Sequence, residues 1–155
     1  MENQRTYHLA DEAATQKLGR ALARLARVGD VFALYGTLGM GKSVLARAFV
    51  LELTNASEVP SPTFTLMQIY DAPDFEIYHF DLYRLKSPDE IFEIGVEEAM
   101  YGGVCLIEWP ERMAPYLPKN IFKIEILPEG AGRQVVITPG SPEKAERLQT
   151  IGEKL

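Results

Sequence analysis

The chain has a single cysteine, Cys105, so no disulfide can form within it. That fits a reducing compartment. Cys105 sits in the apolar run Val104–Ile107, where a buried, inert thiol is expected rather than a nucleophile. No stretch of about 18 apolar residues occurs, so no transmembrane helix is expected. The N-terminal segment lacks the apolar core of a signal peptide. The expected location is therefore the cytoplasm, with no membrane partner. Basic residues are outnumbered by acidic ones, 16 to 22, and the net charge is −6. A protein that grips nucleic acid unaided usually carries a basic excess. Any RNA contact is thus expected to run mainly through a partner. Histidine is scarce: only His8 and His79 are present. His79 could form a His-x-Asp metal pair with Asp81, but a structural histidine is the expected reading.

The 155 residues suit one domain with one continuous core. The expected organisation is a single domain over 1–155, with 142–155 as a peripheral C-terminal helix. Ala14, Leu18, Leu22 and Leu25 recur at helical spacing and predict a helix over 11–27. Gly29 and Asp30 break it. Val31–Tyr35 is a short apolar run, as in a strand buried on both faces. A helix is expected from Lys42 to Thr54, then a proline-bearing loop to Pro62. Residues 63–70 and 75–80 predict a hairpin turning at Asp71–Asp74. Ser87, Pro88 and Glu90 mark a helix start; that helix is expected to end near Gly95, with a short one following to Gly102. Val104–Ile107 predicts a second buried strand. Residues 121–127 and 134–138 predict two late strands joined by a turn over Pro128–Arg133. Strands alternating with helices, followed by hairpins, imply an α/β protein of three layers with a mixed parallel and antiparallel sheet.

Between the first apolar strand and the second helix lies Gly36-Thr-Leu-Gly-Met-Gly41-Lys42-Ser43, a full match to the phosphate-loop pattern. Phosphate oxygens need several donors converging on one spot. Glycines at 36, 39 and 41 let the backbone curl around an anion. The helix starting near Lys42 offers open N–H groups and the positive end of its dipole. Lys42 can reach the outer phosphates as a point charge, and Ser43 can give its hydroxyl to Mg²⁺. ATP or GTP with Mg²⁺ is the expected ligand. Such sites also use an acid from a second strand. Two acids end apolar strands, Asp81 and Glu108. Ligands sit beyond the carboxyl ends of parallel strands. Glu108 meets that condition directly, and Asp81 meets it only if its strand runs parallel to the phosphate-loop strand. Either could hold the metal while the other positions water.

Four motifs occur in order: the phosphate loop at 36–43, Ser-Pro-Thr-Phe-Thr-Leu at 61–66, His-Phe-Asp-Leu-Tyr-Arg at 79–84 and Ile-Glu-Trp-Pro-Glu at 107–111. Together they resemble the TsaE (YjeE) family, and the resemblance spans roughly residues 9–138. It implies a weak ATPase, with Mg²⁺, that acts with TsaD and TsaB in making threonylcarbamoyladenosine (t6A) in tRNA. It implies that the tRNA is met indirectly, through the complex. It implies that Leu38, Gly39, Met40, Gly41, Lys42, Ser43 and Val44 hold the nucleotide, with Thr15 and Arg133 nearby. It assigns Asp81 and Glu108 to the metal alongside Ser43, and Thr63 to a switch-like loop at the γ-phosphate. Lys42, Thr63, Asp81 and Glu108 are thus the catalytic candidates. Ser43 stands where threonine is more usual, which keeps the hydroxyl. Trp109 and Tyr83 are either site or core aromatics, and Arg84 either a phosphate contact or a surface ion pair.

Other functions share the phosphate loop. A small-molecule kinase usually closes an arginine-rich lid, and only Arg84 and Arg112 are scattered here. A GTPase switch would show an Asn-Lys-x-Asp motif, which is missing. A binding module gated by nucleotide, without hydrolysis, has the same sequence signature.

Overall fold

The computed structural model describes residues 4–36, 41–56, 59–60, 62 and 65–152. Among the described residues, seven strands form one sheet in the order β1-β7-β6-β2-β5-β4-β3. These are β1 (Arg5–Leu9), β2 (Val31–Tyr35), β3 (Met67–Asp71), β4 (Glu76–Asp81), β5 (Val104–Glu108), β6 (Phe122–Glu129) and β7 (Gly132–Pro139). The centre, β6-β2-β5-β4, is parallel. The flanking pairs β1–β7, β6–β7 and β3–β4 are antiparallel. The sheet is therefore mixed, as expected from the sequence.

The buried strands explain the layering. In β2, Phe32 and Leu34 point into one core while Val31 and Ala33 point into the other. In β5, Val104 and Leu106 share the first core, and Cys105 and Ile107 the second. One face is covered by α1 (Glu12–Leu25) and α2 (Lys42–Leu53), which contribute Leu18, Leu22, Leu45 and Phe49. The other face is covered by α3 (Val96–Gly102) and two 3-10 segments, Pro88–Phe92 and Pro110–Tyr116. These supply Ile91, Val96, Ala99 and Met113. Burial on both faces is why these strands read as continuous apolar runs rather than alternating ones. Among the described residues, no helix is long and apolar enough to cross a membrane.

Local chemistry sets most element ends. Asp11 caps α1, its carboxylate accepting the Ala14 N–H at 2.9 Å. Ser87 and Glu90 form the expected capping box, but the helical segment is 3-10 and ends at Phe92. A new helix, α3, then starts after Gly95 at φ 83°. The first hairpin turns one residue later than expected: Asp71 pairs with Glu76, and Ala72 N–H donates to Phe75 O at 3.0 Å. Its first strand begins at Met67, because Leu66 takes a left-handed φ of 67° that no strand allows; residues 63 and 64 lie outside the described residues. The late hairpin has a tighter turn than expected, with the strands extending to Glu129 and from Gly132. Arg133 therefore lies inside β7.

Two features were not anticipated. β1 completes the sheet edge, with Tyr7 and Leu9 buried and His8 outside. The C-terminal segment forms α4 (Pro142–Leu148) and a 3-10 turn (Gln149–Ile151), and residues 153–155 lie outside the described residues. It is firmly docked rather than peripheral. Arg147 reaches Asp30 with two bonds of 2.6 and 2.8 Å, and Leu148 is fully buried.

Candidate functional site

Every parallel strand of the sheet ends at the same edge, and the chemistry gathers there. β2 leads to Gly36, and α2 begins at Lys42 after Gly41, whose φ is 97°. A left-handed φ there favours glycine. The first bond of α2 runs from Leu45 N–H to Gly41 O at 3.0 Å. Among the described residues, no side chain caps this helix. The amides of Lys42, Ser43 and Val44 thus precede the first intrahelical bond, at the positive end of a 12-residue helix. Such a terminus is an anion site when a second feature supplies charge and shape.

Lys42 supplies the charge. Its side chain is buried between the phosphate-loop strand and Trp109. The ammonium donates to Gly36 O at 2.6 Å and lies 3.5 Å from the centre of the Trp109 ring. Burial pushes the Lys42 pKa below its ordinary value, while Glu108, Glu111 and Asp81 pull it back up. A buried ammonium facing three carboxylates is held short of solvent, and it gains when a phosphate replaces lost water. Trp109 holds its place through a left-handed backbone, φ 60°, immediately before Pro110. Tyr83 packs on it with ring centres 4.9 Å apart, and Arg112 lies over Tyr83. Trp109 thus packs against the second core and also presents its ring to the phosphate-loop lysine.

The acids come from adjacent strand ends. β4 is parallel to β5, and β5 to β2, so Asp81 sits at the same edge as Glu108. The two are direct register partners. Both are buried, at 5% and 2% exposure, which removes the reading of either as a surface carboxylate. Glu108 Oε1 accepts the Ser43 hydroxyl at 3.2 Å. Its Oε2 accepts from His79 Nε2 at 2.7 Å. Asp81 Oδ1 accepts the Tyr83 N–H at 3.1 Å.

Thr15 lies beside the loop from α1. A Cβ added at Gly41 would meet its Cγ2 at 3.8 Å. Arg133 is at the same edge of the sheet, opposite Leu9 and Pro128, but two strands away from β2. Leu38, Gly39, Met40 and Thr63 lie outside the described residues. The structure thus brings together Thr15, Gly41, Lys42, Ser43, Val44, Asp81 and Glu108 and leaves Arg133 further off. Sequence reasoning missed His79 as the partner of Glu108, and Glu111 as a charge near Lys42. His79 shares a face of β4 with Asp81 at a spacing of two, and that is the signal that could have found it.

A separate groove, of about 650 Å³, lies along the C-terminal half of α1 and the turn at Thr150 and Ile151. Three of its arginines are engaged with acids. Arg24 pairs with Glu52 at 2.8 Å, Arg27 with Glu143 at 3.4 Å and Arg147 with Asp30 at 2.6 Å. It stands at the opposite end of α1 from Thr15 and plays no part in this site.

A central parallel sheet, a strand feeding an uncapped helix start and two buried acids on neighbouring strand ends define an α/β protein of phosphate-loop architecture. The family model described as "Threonylcarbamoyl adenosine biosynthesis protein TsaE" matches residues 9–135. The tRNA threonylcarbamoyladenosine biosynthesis protein TsaE of Rickettsia felis is 40% identical over 136 residues, covering 86% of this chain and 80% of its own. The same-named protein of Bacillus subtilis is 36% identical over 113 residues, covering 72% and 70%. The crystal structure of Bacillus subtilis YdiB superimposes with a TM-score of 0.78 at 26% identity, covering 96% of this chain and 93% of that one. The chain belongs to the TsaE family of tRNA threonylcarbamoyladenosine biosynthesis proteins.

Proposed function

We propose that this edge binds Mg·ATP and hydrolyses it slowly, and that the chain is a cytoplasmic ATPase component that works with TsaB and TsaD in forming t6A in tRNA. The observation that carries the reading is the convergence of the Ser43 hydroxyl, the Lys42 ammonium and the Asp81 and Glu108 carboxylates on one helix start. The donor set suits Mg²⁺ bound together with phosphate. Among the described residues no three His, Cys, Asp or Glu side chains form a metal cage of their own. Mg²⁺ typically takes one or two protein ligands and completes its shell with phosphate oxygens and water.

Ser43 and one of the two acids would hold the ion. The bound Mg²⁺ would neutralise charge on the outer phosphates. The amides of Lys42, Ser43 and Val44 would donate to phosphate oxygens without reorganising, because the helix already fixes them. Lys42 would leave Gly36 O and the Trp109 face for the β- and γ-phosphates, exchanging a carbonyl for an anion. The second acid would orient the attacking water. Thr15 would shape the wall beside Gly41. Leu38, Gly39, Met40 and Thr63 belong to the same proposal through the motifs they occupy, as does Arg133 from β7.

The test is ATP turnover by Lys42→Ala and Asp81→Ala, each alone and with TsaB and TsaD. Both variants should lose turnover by at least about a hundredfold, the scale of removing one transition-state contact. Full turnover by both overturns the mechanism.

A further inference from the structure

Glu108 is gripped at both oxygens. Its Oε1 takes the Ser43 hydroxyl at 3.2 Å, and its Oε2 takes His79 Nε2 at 2.7 Å. A carboxylate oxygen accepts, so His79 Nε2 is the donor in this bond. Both side chains are 3% exposed. The other ring nitrogen, Nδ1, is equally buried and has no hydrogen-bond partner among the described residues. A buried polar atom without a partner is destabilising.

That combination has no account in stability. β4 places His79 between Gln68 of β3 and Leu106 of β5. Ile77, two residues earlier on the same face, belongs to the apolar core under α1 and α2. An apolar side chain at position 79 would fit those surroundings and remove the orphaned nitrogen. Replacing both members of a buried polar pair by packed apolar groups is commonly neutral or stabilising, whereas removing one leaves the other buried alone. What an apolar residue could not do is hold Glu108.

We propose that His79 is a positioning residue: it anchors Glu108 Oε2 so that Oε1 stays turned toward the Ser43 hydroxyl, where Mg²⁺ binds. The proposal rests on the Mg·ATP reading above. The carboxylate has three side-chain torsions of its own, and Ser43 alone fixes one oxygen. With His79 in place both oxygens are fixed before the ion arrives, so little ordering remains on binding. Loss of a partner that orients a metal ligand typically lowers metal affinity or activity 10–100-fold. Nucleotide phosphates gripped by α2 and Lys42 without metal do not depend on this anchor.

The experiment is calorimetric ATP affinity with Mg²⁺ and with EDTA, on the full chain, for the parent, His79→Leu and His79→Gln. His79→Leu removes the donor; the Gln side-chain amide restores one near the Nε2 position. The expected result is an ATP affinity in EDTA within about twofold of the parent for both variants. The gain conferred by Mg²⁺ should fall about tenfold or more in His79→Leu and recover in His79→Gln. In a Glu108→Ala background, His79→Leu should change the Mg²⁺ gain no further. If His79→Leu does not fold by circular dichroism, His79→Asn, whose amide is too short to reach Glu108, takes its place under the same criteria. A Mg²⁺ gain equal to the parent's overturns the inference, as does equal loss in EDTA and Mg²⁺, which marks a general structural effect. Failure of Gln to rescue also overturns it. If the parent shows no ATP binding under either condition, the Mg·ATP reading itself falls and takes this inference with it.

Discussion

Replacing Arg147 by Met tests how the C-terminal helix is tied to the sheet. The guanidinium makes a two-pronged contact with Asp30, at 2.6 and 2.8 Å, and donates to Leu25 O at 2.8 Å. It also bonds Glu143 at 2.6 Å and lies 5.4 Å from the Phe122 ring centre. The Arg147 and Asp30 side chains are 9% and 4% exposed. The paired Asp30 raises the Arg147 pKa further, despite the opposing effect of burial, so the arginine is charged at every working pH. Met fills much of the space but leaves the Asp30 carboxylate buried. Removing one partner of such a pair is destabilising by about 3–5 kcal/mol. Asp30 keeps the Arg27 N–H at 2.8 Å and Lys144 at 3.8 Å, which places the expected loss at the lower end, about 3 kcal/mol. For a domain of this size that corresponds to a Tm lowered by about 6–12 °C. The assay is urea unfolding at pH 7 followed by circular dichroism, with an unchanged m-value. The second arm is the double variant Asp30→Leu/Arg147→Met, which should recover much of the loss because no charge is left buried alone. A single-variant loss below about 1 kcal/mol would refute the reasoning, since it would mean that the pair contributes no more than an exposed one.

Two further outcomes follow from packing. Gly19→Ala places a Cβ 2.6 Å from Leu45 O and 3.0 Å from the Ala48 side chain, both in α2. The better helix propensity, worth about 1 kcal/mol, should be outweighed by overpacking against backbone, up to about 3 kcal/mol. Melting should show net destabilisation, and a variant more stable than the parent would contradict the close contact. Burial pushes the Cys105 thiol up to about 12 from an ordinary 9.0. Below pH 9 the folded thiolate should be about a thousandfold scarcer than in the unfolded chain. Iodoacetamide at pH 8 should therefore label the chain only after denaturation, and rapid labelling of folded protein would overturn the placement.

The elements that carry the site were legible because each is local. β2 and β5 are buried on both faces and so appear as unbroken apolar runs, and the phosphate-loop glycines sit between a strand and a helix. β1 was not legible. Its alternation rests on Tyr7 and Leu9 alone, and its partner β7 lies more than a hundred residues away. The direction of β4 was likewise hidden. It pairs antiparallel with β3 through a short turn but parallel with β5 across a long crossover, and only the second relation brings Asp81 beside Glu108. The His79–Glu108 and Asp30–Arg147 contacts join residues 29 and 117 apart, set by register and docking rather than by spacing. The capping box at Ser87 marked where a helix starts but not its type; a five-residue segment that buries only Ile91 closes as 3-10.

The central claim is that the start of α2, with Lys42 and Ser43, holds a polyphosphate. Calorimetry of the full chain with Mg·ATP at millimolar concentration addresses it without any partner protein. The account predicts saturable heat and a raised Tm, both lost in Lys42→Ala. Absence of heat and of thermal protection in the parent, or full binding by Lys42→Ala, would contradict it.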